Sequence, residues 1–306
     1  MSRTYFVIFW CLVVAGASAA LAQKPAETNE KTYNLLHTTL EEQQAVRAEE
    51  ENVPTYVPVI PERNMELTLT LGFWQINQEI LAADGIIYKY TDKTTYFGDV
   101  SLSGQAAFHP QLRLNYNLLP WFSLEPVVGF SVSEYRARIA NALSLSNQAF
   151  GEEENLPMPV DEIGEFDAEN RSCITLSTGM NAVFYPRDYG NFGKGRWHPY
   201  LQGGAHHTWM TLNSDYTDAP AKMWDLSGGV GMRIIADDLI SVRMEVMYHH
   251  MTVDFEPGRA FAVRDEGNTR IPVTRWVEGE GQVSVADYDA HTLDTFSWAV
   301  GFTADF

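Results

Sequence analysis

From Met65 onward the chain contains eight runs in which apolar and polar positions alternate. A period of two is what a strand produces, because successive side chains leave it on opposite faces. The last run, 295–306 ("TFSWAVGFTADF"), sets Phe296, Trp298, Val300, Phe302, Ala304 and Phe306 against Thr295, Ser297, Ala299, Gly301, Thr303 and Asp305. The seven before it are 66–76, 107–118, 121–135, 173–185, 199–211, 223–235 and 239–253, the fifth alternating most weakly. The connections alternate too. Those after the second, fourth and sixth runs read as short, at 119–120, 186–198 and 236–238, although 186–198 has 13 residues. Those at 77–106, 136–172, 212–222 and 254–291 are mostly long. An up-and-down barrel with tight turns at one rim and long loops at the other predicts this spacing, whereas such long structureless loops are uncommon in a compact soluble domain.

The pattern alone does not say which face is buried. A soluble sandwich turns its apolar face inward; a membrane barrel turns it outward to lipid. The polar faces here are rich in Gly, Ser, Thr and Asn and carry Glu66, Arg113, Glu125, Asp225, Arg233, Arg243 and Glu245, with no lysine. A solvated face usually carries lysine; interspersed acids and arginines suit a narrow lumen closed by paired charges. Aromatics gather at run ends, Tyr116, Phe122, Phe184 and Phe306 toward one rim and Phe73, Trp209, Trp224, Tyr248 and Phe296 toward the other, as interfacial girdles do. The expectation is therefore an all-β chain, an eight-stranded antiparallel up-and-down transmembrane β-barrel over 65–306.

The N-terminal segment changes the compartment. Residues 1–22 hold one base (Arg3), an apolar run from Tyr5 to Ala15 and an Ala20-Leu21-Ala22 end, the form of a cleaved secretory signal. Its removal leaves Cys173 as the one cysteine, so no internal disulfide can form. Residues 23–64 read as a short periplasmic helix (30–51, with Tyr33, Leu36 and Leu40 on one stripe) and an extended linker containing Pro54, Pro58 and Pro61. The chain carries 21 Lys+Arg against 40 Asp+Glu, a balance that argues against nucleic-acid partners. Downstream of the signal nothing is long and apolar enough for a spanning helix, so a membrane protein of this kind must be a barrel.

The final run, alternating, with a glycine and a terminal Phe306, resembles the C-terminal β-signal of bacterial outer-membrane proteins, and 65–306 resembles the small eight-stranded outer-membrane barrels typified by the OmpA transmembrane domain. The stretch "RWHPYLQGGAHH" (196–207) is similar to a strand opening recurrent in that family, and no peptidoglycan-binding domain is expected after the barrel. The resemblance implies a bacterial outer-membrane location, with Phe302 and Phe306 read by the barrel-assembly machinery during insertion.

Candidate chemistry is sparse. Eight strands leave a lumen that side chains fill. His206 and His249 face it by parity and are the candidate ligands for a small solute, but the expected hairpin register sets His206 opposite Gly229, about three residues from His249, so no metal site and no cofactor are expected. A lipid-modifying hydrolase needs a serine beside a rim histidine; His207 and His250 lack one in the sequence pattern, and no catalytic residue is assigned. The acidic stretch 151–170 has eight carboxylates and no spacing for calcium, and reads as an exposed loop that meets lipopolysaccharide through divalent cations. Phe150, Leu156, Ile163, Phe166, Phe261, Ile271 and Trp276 stand in the long loops as contact points for a protein partner, as does the helix 30–51. The functional expectation is a non-enzymatic barrel with a structural or docking role in the cell envelope. The alternatives are a lipid-modifying hydrolase and a narrow channel or small-ligand binder.

Overall fold

The computed structural model describes residues 59–91, 94–146, 159–168, 170–189, 196–236, 239–259, 261–263, 269–277 and 279–306. The expected signal, the helix 30–51 and most of the linker lie outside the described residues. In chain order the elements are β1 (Asn64–Gln75), β2 (Glu79–Tyr90), β3 (Thr94–Gly104), β4 (Ala106–Phe108), β5 (Gln111–Leu119), β6 (Phe122–Ser146), β7 (Pro159–Asp167), β8 (Arg171–Phe184), a helical turn α1 (Pro186–Tyr189), β9 (Trp197–Leu212), β10 (Ala221–Ile235), β11 (Ile240–Val253), β12 (Phe261–Val263), β13 (Thr269–Ile271), β14 (Thr274–Val277), β15 (Gly281–Ser284) and β16 (His291–Asp305).

The main sheet closes on itself. Going round it, β1 pairs with β5, then come β6, β8, β9, β10, β11 and β16, and β16 returns to β1, every pairing antiparallel. Closure leaves this ring without a free edge. At the seam Glu66 lies opposite Asp305, and the Phe306 N–H donates to the Met65 carbonyl at 3.3 Å. The run expected at 107–118 is broken into β4 and β5 at His109-Pro110, since proline has no N–H for the ladder.

The long connections are not structureless. β2 and β3 form a hairpin inside 77–106, and β6 continues eleven residues past the expected end at 135, pairing above with β3 and β7. β2 escapes a period-two reading because its pairing shifts register at three places, one of them at Gly85 with φ 63°, where a bulge reverses the facing of the residues after it.

β6 shows how the faces are used. Its outward residues run Phe122, Leu124, Pro126, Val128, Phe130 and Val132, then change to Glu134, Arg136 and Arg138. Its inward residues are Ser123, Glu125, Val127, Gly129, Ser131 and Ser133, then Tyr135, Ala137 and Ile139. The two faces exchange polarity at the same level. The crossing recurs around the ring: Cys173, Leu212, Met223, Met251 and Leu293 face inward where Ser172, Thr211, Lys222, Thr252 and Asp294 face outward. Below the crossing the exterior is oily and the interior polar; above it the sheet is arranged as a soluble one, with a buried apolar core.

Candidate functional site

Below the crossing, Leu112, Val230 and Val300 are 51%, 57% and 37% exposed, while Arg113 and Glu245 are 2% and 5% exposed. The interior charges meet across the lumen in two tiers. Nearest the short-turn rim, Arg233 on β10 donates from both terminal nitrogens to the two oxygens of Glu66 on β1, each at 2.9 Å. This bidentate fork is the strong form of the pair. Asn115 and Asn117 donate to the same carboxylate at 2.9 and 2.7 Å, and Arg233 Nε donates to Ser241 at 2.9 Å. One tier up, Arg113 on β5 donates to Glu125 Oε1 at 3.1 Å and Glu245 Oε2 at 2.9 Å, Tyr200 donates to Glu245 at 2.9 Å, and Arg243 on β11 donates to Glu125 on β6. Arg243 also lies 3.6 Å from Glu66, joining the tiers.

The glycines of the wall make room for this. A Cβ at Gly231 would collide with the Tyr200 ring, and one at Gly179 with the His206 imidazole. Tyr200, Asn115 and Asn117 were legible only as lumen-facing positions, since the acids they serve come from distant strands.

Asp225, expected among these charges, sits apart in a third, higher tier. His249 Nδ1 is 2.8 Å from Asp225 Oδ2, and its Nε2 is 2.8 Å from Ser297 Oγ. His206 Nδ1 lies 3.4 Å from the same aspartate oxygen, and its Nε2 is 3.0 Å from Asn181 Oδ1. Trp74 lies 5.2 Å from His249 and 5.3 Å from His109, ring centre to ring centre, and donates to Thr295 at 2.8 Å. The expected separation of the two histidines is corrected here: β9 and β10 pair His206 with Asp225, not Gly229. Alternation fixes only parity, and a shift of four residues leaves every side chain on its face. With Asp225 accepting from Nδ1–H, His249 Nε2 accepts from the Ser297 hydroxyl. That is the bond order of a nucleophilic relay, but all three side chains are buried and the surrounding backbone N–H groups belong to the ladder. Among the described residues no group of three or more His, Cys, Asp or Glu is placed to hold a metal.

The rim histidines face outward. His207 packs between Trp209 and Trp224, with ring centres at 4.3 and 5.4 Å, and His250 Nδ1 is 2.7 Å from Asp294, which also accepts from Tyr248. Phe302 and Phe306 lie on the outer face at 58% and 70% exposure.

Above the crossing, Ile80, Leu81, Leu102, Tyr135, Met210, Met223, Met251 and Phe255 belong to one apolar core. Burial pushes the phenols of Tyr216 and Tyr288 above their ordinary range, so both stay neutral, and Tyr288 donates to the Tyr216 carbonyl at 3.0 Å. Two expected contact points are used internally: Phe166 packs on Tyr88 at 5.6 Å, and Trp276 stacks on Phe97 at 5.9 Å. Ile163 is exposed; Phe261 pairs with Ile271 between β12 and β13; Phe150 and Leu156 lie outside the described residues. The stretch 151–170 is in part the strand β7 rather than a loop throughout.

A closed antiparallel ring with an oily belt and a charged interior defines a membrane-spanning β-barrel, and barrels of this kind belong to the bacterial outer membrane. The chain also bears a limited likeness to solved outer-membrane proteins. The outer-membrane protein OprG from Pseudomonas aeruginosa matches with 13% identity over 81% of this chain and 99% of its own, at a TM-score of 0.44. The outer-membrane protein AlkL, solved in lipid bilayers, matches with 14% identity over 83% and 95%, at 0.37. An outer-membrane channel from Pseudomonas putida F1 matches with 13% identity over 83% and 99%, at 0.23. No protein-family profile and no curated protein sequence matches the chain.

Proposed function

We propose that the chain is a non-enzymatic barrel of the small OmpA-like kind, crossing the outer membrane eight times. Its lumen is shut, and its work is structural or a matter of docking, done by the β-extension above the outer leaflet. The carrying observation is where the buried charge pairs run. Glu125 and Arg243 stand on β6 and β11, four strands apart in either direction around the ring, and Glu66–Arg233 and Arg113–Glu245 each join strands three apart. Pairs of that reach lie across the bore rather than along its wall. A hydrated ion would have to displace a guanidinium or a carboxylate from its partner, and an uncompensated buried charge costs about 3–5 kcal/mol.

Above the crossing, β2, β3, β7, β14 and β15 form a folded platform with its own core, which supports a contact role for the outer surface. The purified chain in planar bilayers should give no stable single-channel steps, while Glu125→Ala combined with Glu245→Ala should introduce them. Steady conductance from the unaltered chain would refute the closed lumen. An unchanged lipid A profile on Ser297→Ala is expected from a non-enzymatic barrel; a lost acyl-trimming activity would favour a hydrolase instead.

A further inference from the structure

The polarity crossing leaves an unused surface just above the oily belt. Register places Ser103 opposite Arg136 and Ser101 opposite Arg138, so two hydroxyls and two guanidiniums share the outward face of β3 and β6. They line an open groove of about 920 Å³ whose walls include Glu79, Glu165 and Asp167. Arg138 is paired with Glu165, and Ser101 donates to Glu79 at 2.7 Å. Arg136 has no ion pair among the described residues. We infer that this groove binds the phosphorylated headgroup of an outer-leaflet glycolipid of the lipopolysaccharide type, with Arg136 and Arg138 on the phosphate.

Height, chemistry and charge each point that way. Arg136 is four residues beyond Val132 on the same face. At about 3.3 Å per residue and a tilt of about 45° that is a rise of roughly 9 Å. The headgroup layer takes about 5–8 Å on each side of the hydrocarbon, and an arginine reaches down to it along its own stem. A planar guanidinium matches phosphate oxygens through two parallel N–H donors, and the Ser103 hydroxyl can donate to a remaining one. Glu79 and Asp167 would repel a bare phosphate. They suit one that arrives with a divalent counter-ion, as glycolipid phosphates in a packed leaflet do.

The inference rests on the membrane orientation above, and its test separates the two. The full-length chain in detergent micelles is titrated with bis-phosphorylated lipid A plus Mg²⁺, with dephosphorylated lipid A, and with inorganic phosphate alone. The phosphorylated lipid should bind at least tenfold more tightly than the dephosphorylated one. Arg136→Gln and Arg138→Gln should each weaken it about tenfold, and EDTA should weaken it in the unaltered chain. Lys222→Gln, an outward base on β10, should leave it unchanged. Equal affinity for the two lipids, no effect of Arg136→Gln or of EDTA, or an equal loss with Lys222→Gln overturns the inference. Inorganic phosphate binding with the same arginine dependence would make this a free-anion site and overturn the lipid assignment. Heat-modifiable gel mobility reports the barrel independently, and both arginine variants should keep it because the two side chains are exposed.

Discussion

Glu125 shows most simply what a residue does in this lumen. It is fully buried and accepts from Arg113 at 3.1 Å and from Arg243 on the facing wall. Replacing it with alanine takes one carboxylate from each of two buried guanidiniums, leaving Arg113 on Glu245 and Arg243 at 3.6 Å from Glu66. The expected loss is about 3–5 kcal/mol, the usual cost of removing one partner of a buried pair, read as a lower urea midpoint for the chain folded in lipid vesicles. Gly231→Val should be costly for a steric reason, because its side chain would occupy the place of the Tyr200 ring that reaches Glu245. The facing of these residues was legible from parity together with the composition of the polar faces: Glu66, Arg113, Arg233, Arg243 and Glu245 all read as inward. Their partners were not, because which acid meets which base depends on strands far apart in sequence and on register. The same gap hid the meeting of His206, His249 and Asp225, where a four-residue shift of β10 against β9 changes the neighbours without changing the faces.

At the scale of the element, β6 explains why the barrel was readable and the platform was not. Between Val132 and Tyr135 its apolar positions move from even to odd, and a change of phase looks like the end of a strand. In fact the strand continues and its surroundings invert, lipid giving way to water outside and polar lumen to apolar core inside. Elsewhere in the long connections the signal is weak for local reasons, such as the bulges of β2 and the three- and four-residue lengths of β12–β15. The inversion makes a sharp comparison possible within one strand. Val128→Arg puts a charge toward hydrocarbon in the belt and should cost about 2–4 kcal/mol, as charges do near the bilayer midplane. Arg136→Leu, on the same face above the crossing, should change stability by well under 1 kcal/mol. Equal costs for the two, measured by unfolding from vesicles, would mean that the two sites share one environment.

For the whole molecule, both the seam and the short turns place chemistry on one side of the membrane and the platform on the other. Asn64, Phe306, α1 and the adjoining ends of β10 and β11 at Ile235 and Ile240 lie at one rim; β2, β3, β7, β14 and β15 lie beyond the other. Long loops and added structure belong to the outer side of such barrels, tight turns to the periplasmic side. A labelling experiment reads this directly, because the native thiol Cys173 is buried and does not interfere. Gln282→Cys on β15 and Tyr189→Cys on α1 both place a thiol at an exposed position. In intact cells a membrane-impermeant maleimide should label the first and not the second, and both should react once the outer membrane is permeabilised. Labelling at position 189 alone would turn the barrel over. Arg136, Arg138 and their groove would then face the periplasm, where phosphorylated glycolipid is not the resident lipid, while the oily belt and the lumenal charge pairs would stand unchanged. The direction of insertion thus decides which compartment the platform and the groove meet, and the wall of the barrel is indifferent to it.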